Sequence, residues 1–213
     1  ERDLRLAKQT GCGYHVCHIS TKESVALIRQ AKREGVDVTC ETGPHYLTLT
    51  DMDLQEDGRF KMNPPLRTPA DTAALREGIC DGTLDCVVTD HAPHALHEKE
   101  CEFEIAPFGV VGLETSLPLM LTNLVSTGKM SWQRLVEVMC VNPRKVARLE
   151  AVKVEAGSPA DLTLIDPTIE FEVTPELFCG KQHNSAFMGA KLTGRATDTV
   201  VAGKHVLKDC KLA

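Results

Sequence analysis

The stretch Tyr14-His15-Val16-Cys17-His18-Ile19-Ser20-Thr21-Lys22-Glu23-Ser24-Val25 passes from one periodicity to another. Residues 14–19 are rich in β-prone side chains and read as a strand. Ser20 and Thr21 then offer a cap for a helix running to about Glu34, with Val25, Ile28 and Ala31 on one face and Gly35 as its stop. Outward from there, residues 36–40 read as a second strand. A helix over 72–80 precedes a third strand over 84–89, and further helices fit 113–126 and 132–141. Pro143 can open a short helix to Leu149. Strands alternating with helices mean parallel units with right-handed crossovers, so the expected class is α/β.

From about Ala151 the texture changes. Residues 161–165, 170–173 and 199–207 look like short strands joined by Gly, Pro and Asp turns. Two regions are expected, 1–150 and 151–213, the second a small β module. A complete (β/α)₈ barrel needs about 250 residues, and the first region holds only about three strand–helix units. It reads as part of a barrel. A start at Glu1 without an initiator Met agrees with a processed or truncated chain.

Composition narrows the classes of partner. The 213 residues carry 24 basic and 30 acidic side chains, a formal net charge of −6, with no long basic run. That argues against nucleic acid and anionic membranes. Glu114 and Pro118 interrupt the longest apolar stretch, so no spanning segment is expected. Nine cysteines, an odd number without a CxxC pair, argue against a disulfide framework and for a reducing, cytoplasmic setting. Most read as small buried hydrophobes. Cys17, beside His18, is the exception to watch.

Histidines cluster at the predicted strand ends, where parallel α/β folds build their sites. The clusters are HVCHIST at 15–21, ETGPHYL at 41–47 and TDHAPH at 89–94. Imidazoles converging with a carboxylate suit a borderline metal such as zinc. Alternation along a strand should send His15 and His18 to opposite faces, so that one is a ligand and the other packed. Asp90 could equally cap the following helix.

Taken in order, HVCHIST, ETGPHYL, KMNPPLR (61–67), TDHAPH, APFGVVGLET (106–115) and GSPADLTLID (157–166) resemble the C-terminal half of bacterial dihydroorotases of the amidohydrolase superfamily. The resemblance implies the C-terminal part of a metal-dependent (β/α)₈ TIM barrel plus a small β-sandwich module. It assigns His18 and Asp90 as metal ligands, with one or two Zn²⁺, and Asp90 as the catalytic proton shuttle. It assigns Asn63, His94, Phe108 and Gly109 to substrate binding, through side-chain or main-chain donors. His45 corresponds to a position where related cyclic amidases carry Gln and is not taken as a ligand; His15 and His91 are taken as structural.

The activity so implied is reversible cyclisation of N-carbamoyl-L-aspartate to dihydroorotate in pyrimidine synthesis, with dimers formed through helical faces. The family's HxH and its bridging carboxylated lysine or aspartate find no counterpart in these residues. The chain alone is therefore expected to be inactive unless another chain completes the barrel. Two alternatives stand beside this reading. One is a hydantoinase- or allantoinase-like cyclic amidase. The other is a non-catalytic scaffold associated with aspartate transcarbamoylase. The segment 98–108 is a candidate mobile loop over the substrate.

Overall fold

A computed structural model describes residues 1–213. Three short parallel strands form its first sheet: β1 (Tyr14–Val16), β2 (Val38–Thr42) and β3 (Cys86–Val87), in the order β1-β2-β3. Helix α1 (Arg2–Thr10), for which the sequence reading had no element, precedes β1 and ends at Gly11 in the left-handed region (φ 70°). Helix α2 (Lys22–Arg33) crosses from β1 to β2 as expected. Thr21 caps it by accepting from the Ser24 N–H, and Val25, Ile28 and Ala31 form its buried face. Helix α3 (Pro44–Thr48) follows β2 directly, too short to leave a periodic signal.

Helix α4 (Pro69–Asp81) starts earlier than its apolar pattern suggests, because Thr68 and Asp71 form a reciprocal cap and Pro69 sits in the first turn. Leu75 and Ile79 from α4 pack with Ile28, Leu84, Leu124 and Val138 in the main core. Each such fully buried side chain contributes about 1.5–3 kcal/mol. After α5 (Leu96–Lys99), helix α6 (Leu113–Met120) continues as a π-helical turn over Leu121–Val125. Pro118 lies inside α6, where its missing N–H disturbs the regular bonding. Helix α7 (Trp132–Val136) likewise continues as a π turn, Glu137–Val141, into α8 (Asn142–Val146).

The later residues form one four-stranded antiparallel sheet: β4 (Leu162–Glu172), β5 (Lys191–Val201), β6 (Lys204–Lys208) and β7 (Lys211–Leu212). Here the expected boundaries are corrected. Residues 161–165 and 170–173 fall largely on one strand, interrupted by register shifts around Asp166, where Pro167 cannot donate to a ladder. Residues 199–207 are a hairpin, turned by Ala202 (φ 48°) and Gly203 (φ 78°). Most of β5, before Thr199, escaped notice because charged residues and Gly194 blur its alternation. That glycine is required: a Cβ there would lie 2.7 Å from Leu121 Cδ1. The module packs on α6 through Val111, Leu119, Val173, Phe178, Phe187 and Leu192. It forms a single sheet; a second layer to make a sandwich is not among its strands. No helix is long and apolar enough to cross a membrane.

Candidate active site

Because β1, β2 and β3 are parallel, their C-terminal ends share one edge, and His18, Glu41 and Asp90 all fall there. The expected opposition of His15 and His18 is overturned. Strand β1 stops at Val16, and His18 takes a left-handed backbone (φ 55°), so strand alternation no longer governs it. Both imidazoles instead face Glu41. His15 Nε2 is 3.0 Å from Oε2, and His18 Nδ1 is 3.2 Å from Oε1. The second contact lies off the ring N–H direction, leaving Nδ1 without a hydrogen-bond partner.

Asp90 also has a left-handed backbone (φ 47°). Such a conformation costs an L-residue roughly 1–2 kcal/mol. The neighbouring backbone holds both turns in place: Ile19 N donates to Glu41 O (2.9 Å), and Ala92 N donates to Val110 O (2.9 Å). The outcome is a separation of 3.7 Å between His18 Nε2 and Asp90 Oδ1. Two donors on one tetrahedral zinc lie about 3.3 Å apart. A nitrogen–oxygen donor pair at this spacing fits as part of the ligand set of a divalent cation.

His45 lies beneath this edge on α3, buried, with its ring 4.0 Å from that of Tyr46. Burial, and then the nearby His18, push its pKa down to about 3, which leaves it neutral. Its Nε2 has no partner. Gly43 makes room for it, since a Cβ there would lie 2.4 Å from His45 Cε1. The Tyr46 hydroxyl donates to Pro64 O (2.8 Å), fixing the segment that carries Asn63. Burial, aided by the Asp90 charge, raises the Tyr46 phenol well above its usual range.

Of the remaining residues assigned by resemblance, His94, Phe108 and Gly109 meet one another. His94 Nε2 is 2.9 Å from Phe108 O. Gly109 (φ 125°) could not be another residue, because a Cβ would lie 2.5 Å from that of Ala92 and 3.1 Å from His94 Nε2. Asn63 is exposed beside Lys61, whose carbonyl accepts from Gly109 N (2.9 Å). The expected main-chain donor at Gly109 is therefore already committed. Phe108 is exposed, with Lys61 Nζ 4.8 Å from its ring centre. His91 Nδ1 accepts from Gly112 N (3.2 Å), tying the Asp90 turn to the start of α6.

Two residues here were missed by sequence reasoning. Lys99 is 3% exposed, and its ammonium donates to Pro107 O and Gly109 O, both at 2.8 Å. Asn184 donates to Ala92 O (3.0 Å) and Gly109 O (3.2 Å) and accepts from His94 N (3.2 Å). Lys99 sits between Glu98 and Glu100, a setting indistinguishable from solvated surface. Asn184 belongs to no motif, and its signal exists only in three dimensions. Glu41 had a visible signal, a carboxylate beside the histidine-bearing ETGPHYL.

The sequence profile of the Amidohydrolase family matches residues 2–206. The chain is 50% identical over 210 residues to a dihydroorotase of Brevibacillus brevis, covering 98% of this chain and 49% of that relative. It is 46% identical over 212 residues to a dihydroorotase of Bacillus subtilis, covering 99% and 50%. Among solved structures, the L-hydantoinase (dihydropyrimidinase) of Arthrobacter aurescens is 37% identical with a TM-score of 0.88, covering 100% of this chain and 48% of that one. A dihydropyrimidinase from Brevibacillus agri shares the fold at a TM-score of 0.89 and 24% identity, over 100% and 48%. The chain thus spans about half the length of the curated relatives it matches.

Proposed function

The chain belongs to the amidohydrolase family, and on that premise we propose that it serves a dihydroorotase, opening and closing the cyclic amide of dihydroorotate. The observation that carries this reading is the 3.7 Å approach of His18 Nε2 to Asp90 Oδ1 across the end of β2. The similarity to dihydroorotases over nearly the whole chain supports the choice of substrate.

In this reading His18 and Asp90 hold a divalent cation, and zinc suits their nitrogen and oxygen donors. A bound cation supplies Lewis acidity and lowers the pKa of water. Asp90 accepts the proton of the attacking water at a carboxylate oxygen and passes it to the departing ring nitrogen. In the synthetic direction it returns that proton as the ring closes. Asn63 offers an amide to the substrate's polar groups, and His94 and Phe108 form the facing wall. Gly109 contributes space, since its backbone groups are engaged elsewhere. We read 1–150 as the barrel portion and 151–213 as one layer of a β-sandwich; exposed Leu162, Leu164, Val201 and Val206 support the latter.

A hydantoinase-like activity is the second reading, favoured by the likeness to the A. aurescens L-hydantoinase. Binding and turnover of dihydroorotate and hydantoin, measured side by side on the zinc-supplemented chain combined with a second chain that completes the barrel, with a chelator control, decide between them. Preferential, chelator-sensitive binding or turnover of dihydroorotate is expected. Preference for hydantoin would transfer the assignment to the second reading, and engagement of neither compound would remove both for this chain.

A further inference from the structure

One residue before His18 lies a second group of potential metal donors that the ring-opening reading does not use. A ring nitrogen of His15, Sγ of Cys17 and a carboxylate oxygen of Glu41 all lie within 4.8 Å of one another. The three come from two neighbouring strands: His15 lies on β1, Cys17 just beyond its end, and Glu41 on β2. Parallel pairing sets His15 opposite Thr39, which brings Glu41 level with Cys17.

The imidazole is held from outside the cluster. Thr39 Oγ1 is 2.7 Å from His15 Nδ1, which turns the Nε2 edge toward Glu41. A hydrogen bond to one ring nitrogen is the usual way in which the other is aimed at a metal. Cys17 is a free, exposed thiol, so a cation reaches it without the fold opening. One nitrogen, one sulfur and one carboxylate oxygen form a mixed set suited to a borderline or soft divalent cation. Tetrahedral zinc holds sulfur and nitrogen donors about 3.5 Å apart, so small side-chain rotations close the group around an ion.

We propose that His15, Cys17 and Glu41 form a second binding site, adjoining the His18–Asp90 centre through Glu41, for a thiophilic divalent cation, zinc or cadmium. Binding forms three coordinate bonds and releases the Cys17 thiol proton to solvent. The fourth position stays open to water. The site takes no ligand from His18 or Asp90, although Glu41 Oε1 lies 3.2 Å from His18 Nδ1.

The test is titration of the chain with Cd²⁺ and with Co²⁺, followed by thiolate-to-metal charge-transfer absorption and by proton release. Nine cysteines are present, so the variants carry the assignment. The wild-type chain is expected to give a stoichiometric charge-transfer band. C17S, conservative in size at an exposed position, is expected to lose the band and bind about tenfold or more weakly; E41Q is expected to weaken binding in the same direction. The double variant H18N/D90N is expected to keep the band. A band that survives in C17S would assign the sulfur to another cysteine and overturn the proposal. A band lost equally in H18N/D90N would place Cys17 in the His18–Asp90 centre, and absence of stoichiometric binding would remove the site altogether.

Discussion

His18 Nε2 and Asp90 Oδ1 stand 3.7 Å apart although the strands preceding them, β1 and β3, are not neighbours. Strand β2 lies between them, and two strand spacings amount to about 9.6 Å. Left-handed turns at both residues, φ 55° and φ 47°, accompany this approach over the end of β2. Backbone strain of this kind clusters at functional sites, and the pairing of the two side chains makes them the first residues to test for a shared ligand.

The Asp90 carboxylate should therefore matter for metal rather than for folding. Asp90→Asn keeps a side chain that tolerates the left-handed region and removes only the charge. Divalent-metal affinity at this centre, measured by competition with a chromophoric chelator, is expected to fall tenfold or more, roughly the scale of losing a ligand or its partner. The denaturant midpoint is expected to stay close to wild type. A large loss of stability with unchanged affinity would assign Asp90 a structural role.

Lys99 anchors the segment that carries Phe108 and Gly109. Lys99→Met keeps the stem and deletes a buried ammonium that serves two carbonyls at 2.8 Å. Stability is expected to fall by about 1–3 kcal/mol, because those acceptors lose their partner. Hydrogen exchange at the Gly109 amide should accelerate more than at Ile28 in the main core. Uniform acceleration would count against a local anchor.

Gly109 has no room for a side chain. Gly109→Ala forces a Cβ to within 2.5 Å of the Ala92 Cβ at φ 125°. A cost of about 1–3 kcal/mol in unfolding free energy is expected. The His94 ring should shift in an NMR spectrum, because the same Cβ would meet Nε2 at 3.1 Å. An unshifted His94 at wild-type stability would contradict the packing described.

Asp71 gives the fold a defined acid sensitivity. Burial disfavours its charge, yet hydrogen bonds from Lys22 N and from Thr68 outweigh that and hold the carboxyl below the usual carboxylate range. A carboxyl so lowered stabilises the fold above its unfolded value, and the contribution is lost as pH falls through the lower folded value. Asp71→Asn is expected to cost about 1 kcal/mol at neutral pH, as for a lost cap, and to flatten the acid limb of the stability profile. An unchanged acid limb would show that other carboxylates set it.

How far the sequence could be read depended on the range of the forces involved. Helix α2 was legible almost residue by residue, because its cap, its buried stripe and its glycine stop are local. The π turns after Met120 and Val136 were not, since a helical stripe looks the same at either pitch over one turn. The first part of strand β5 was hidden because its Gly194 answers to Leu121, far away in the chain. At the candidate site, motif resemblance singled out His18 and Asp90, which the structure places 3.7 Å apart. The shared grasp of Glu41 by His15 and His18 was not legible, and strand alternation pointed the wrong way.

The sequence by itself determined the α/β class, the order of parallel units and the positions where histidines and carboxylates fall at strand ends. Periodicity, capping and turn chemistry act within a few residues, so they can be read along a line. Only the tertiary structure decided which of those side chains meet. Asn184 reaching His94 and Gly109, Lys99 turned inward from between two glutamates, and Cys17 set beside His15 and Glu41 all depend on backbone brought together from distant segments. Those contacts follow from strand pairing and core packing, whose energies are summed over the whole fold and leave no mark on any one stretch of sequence.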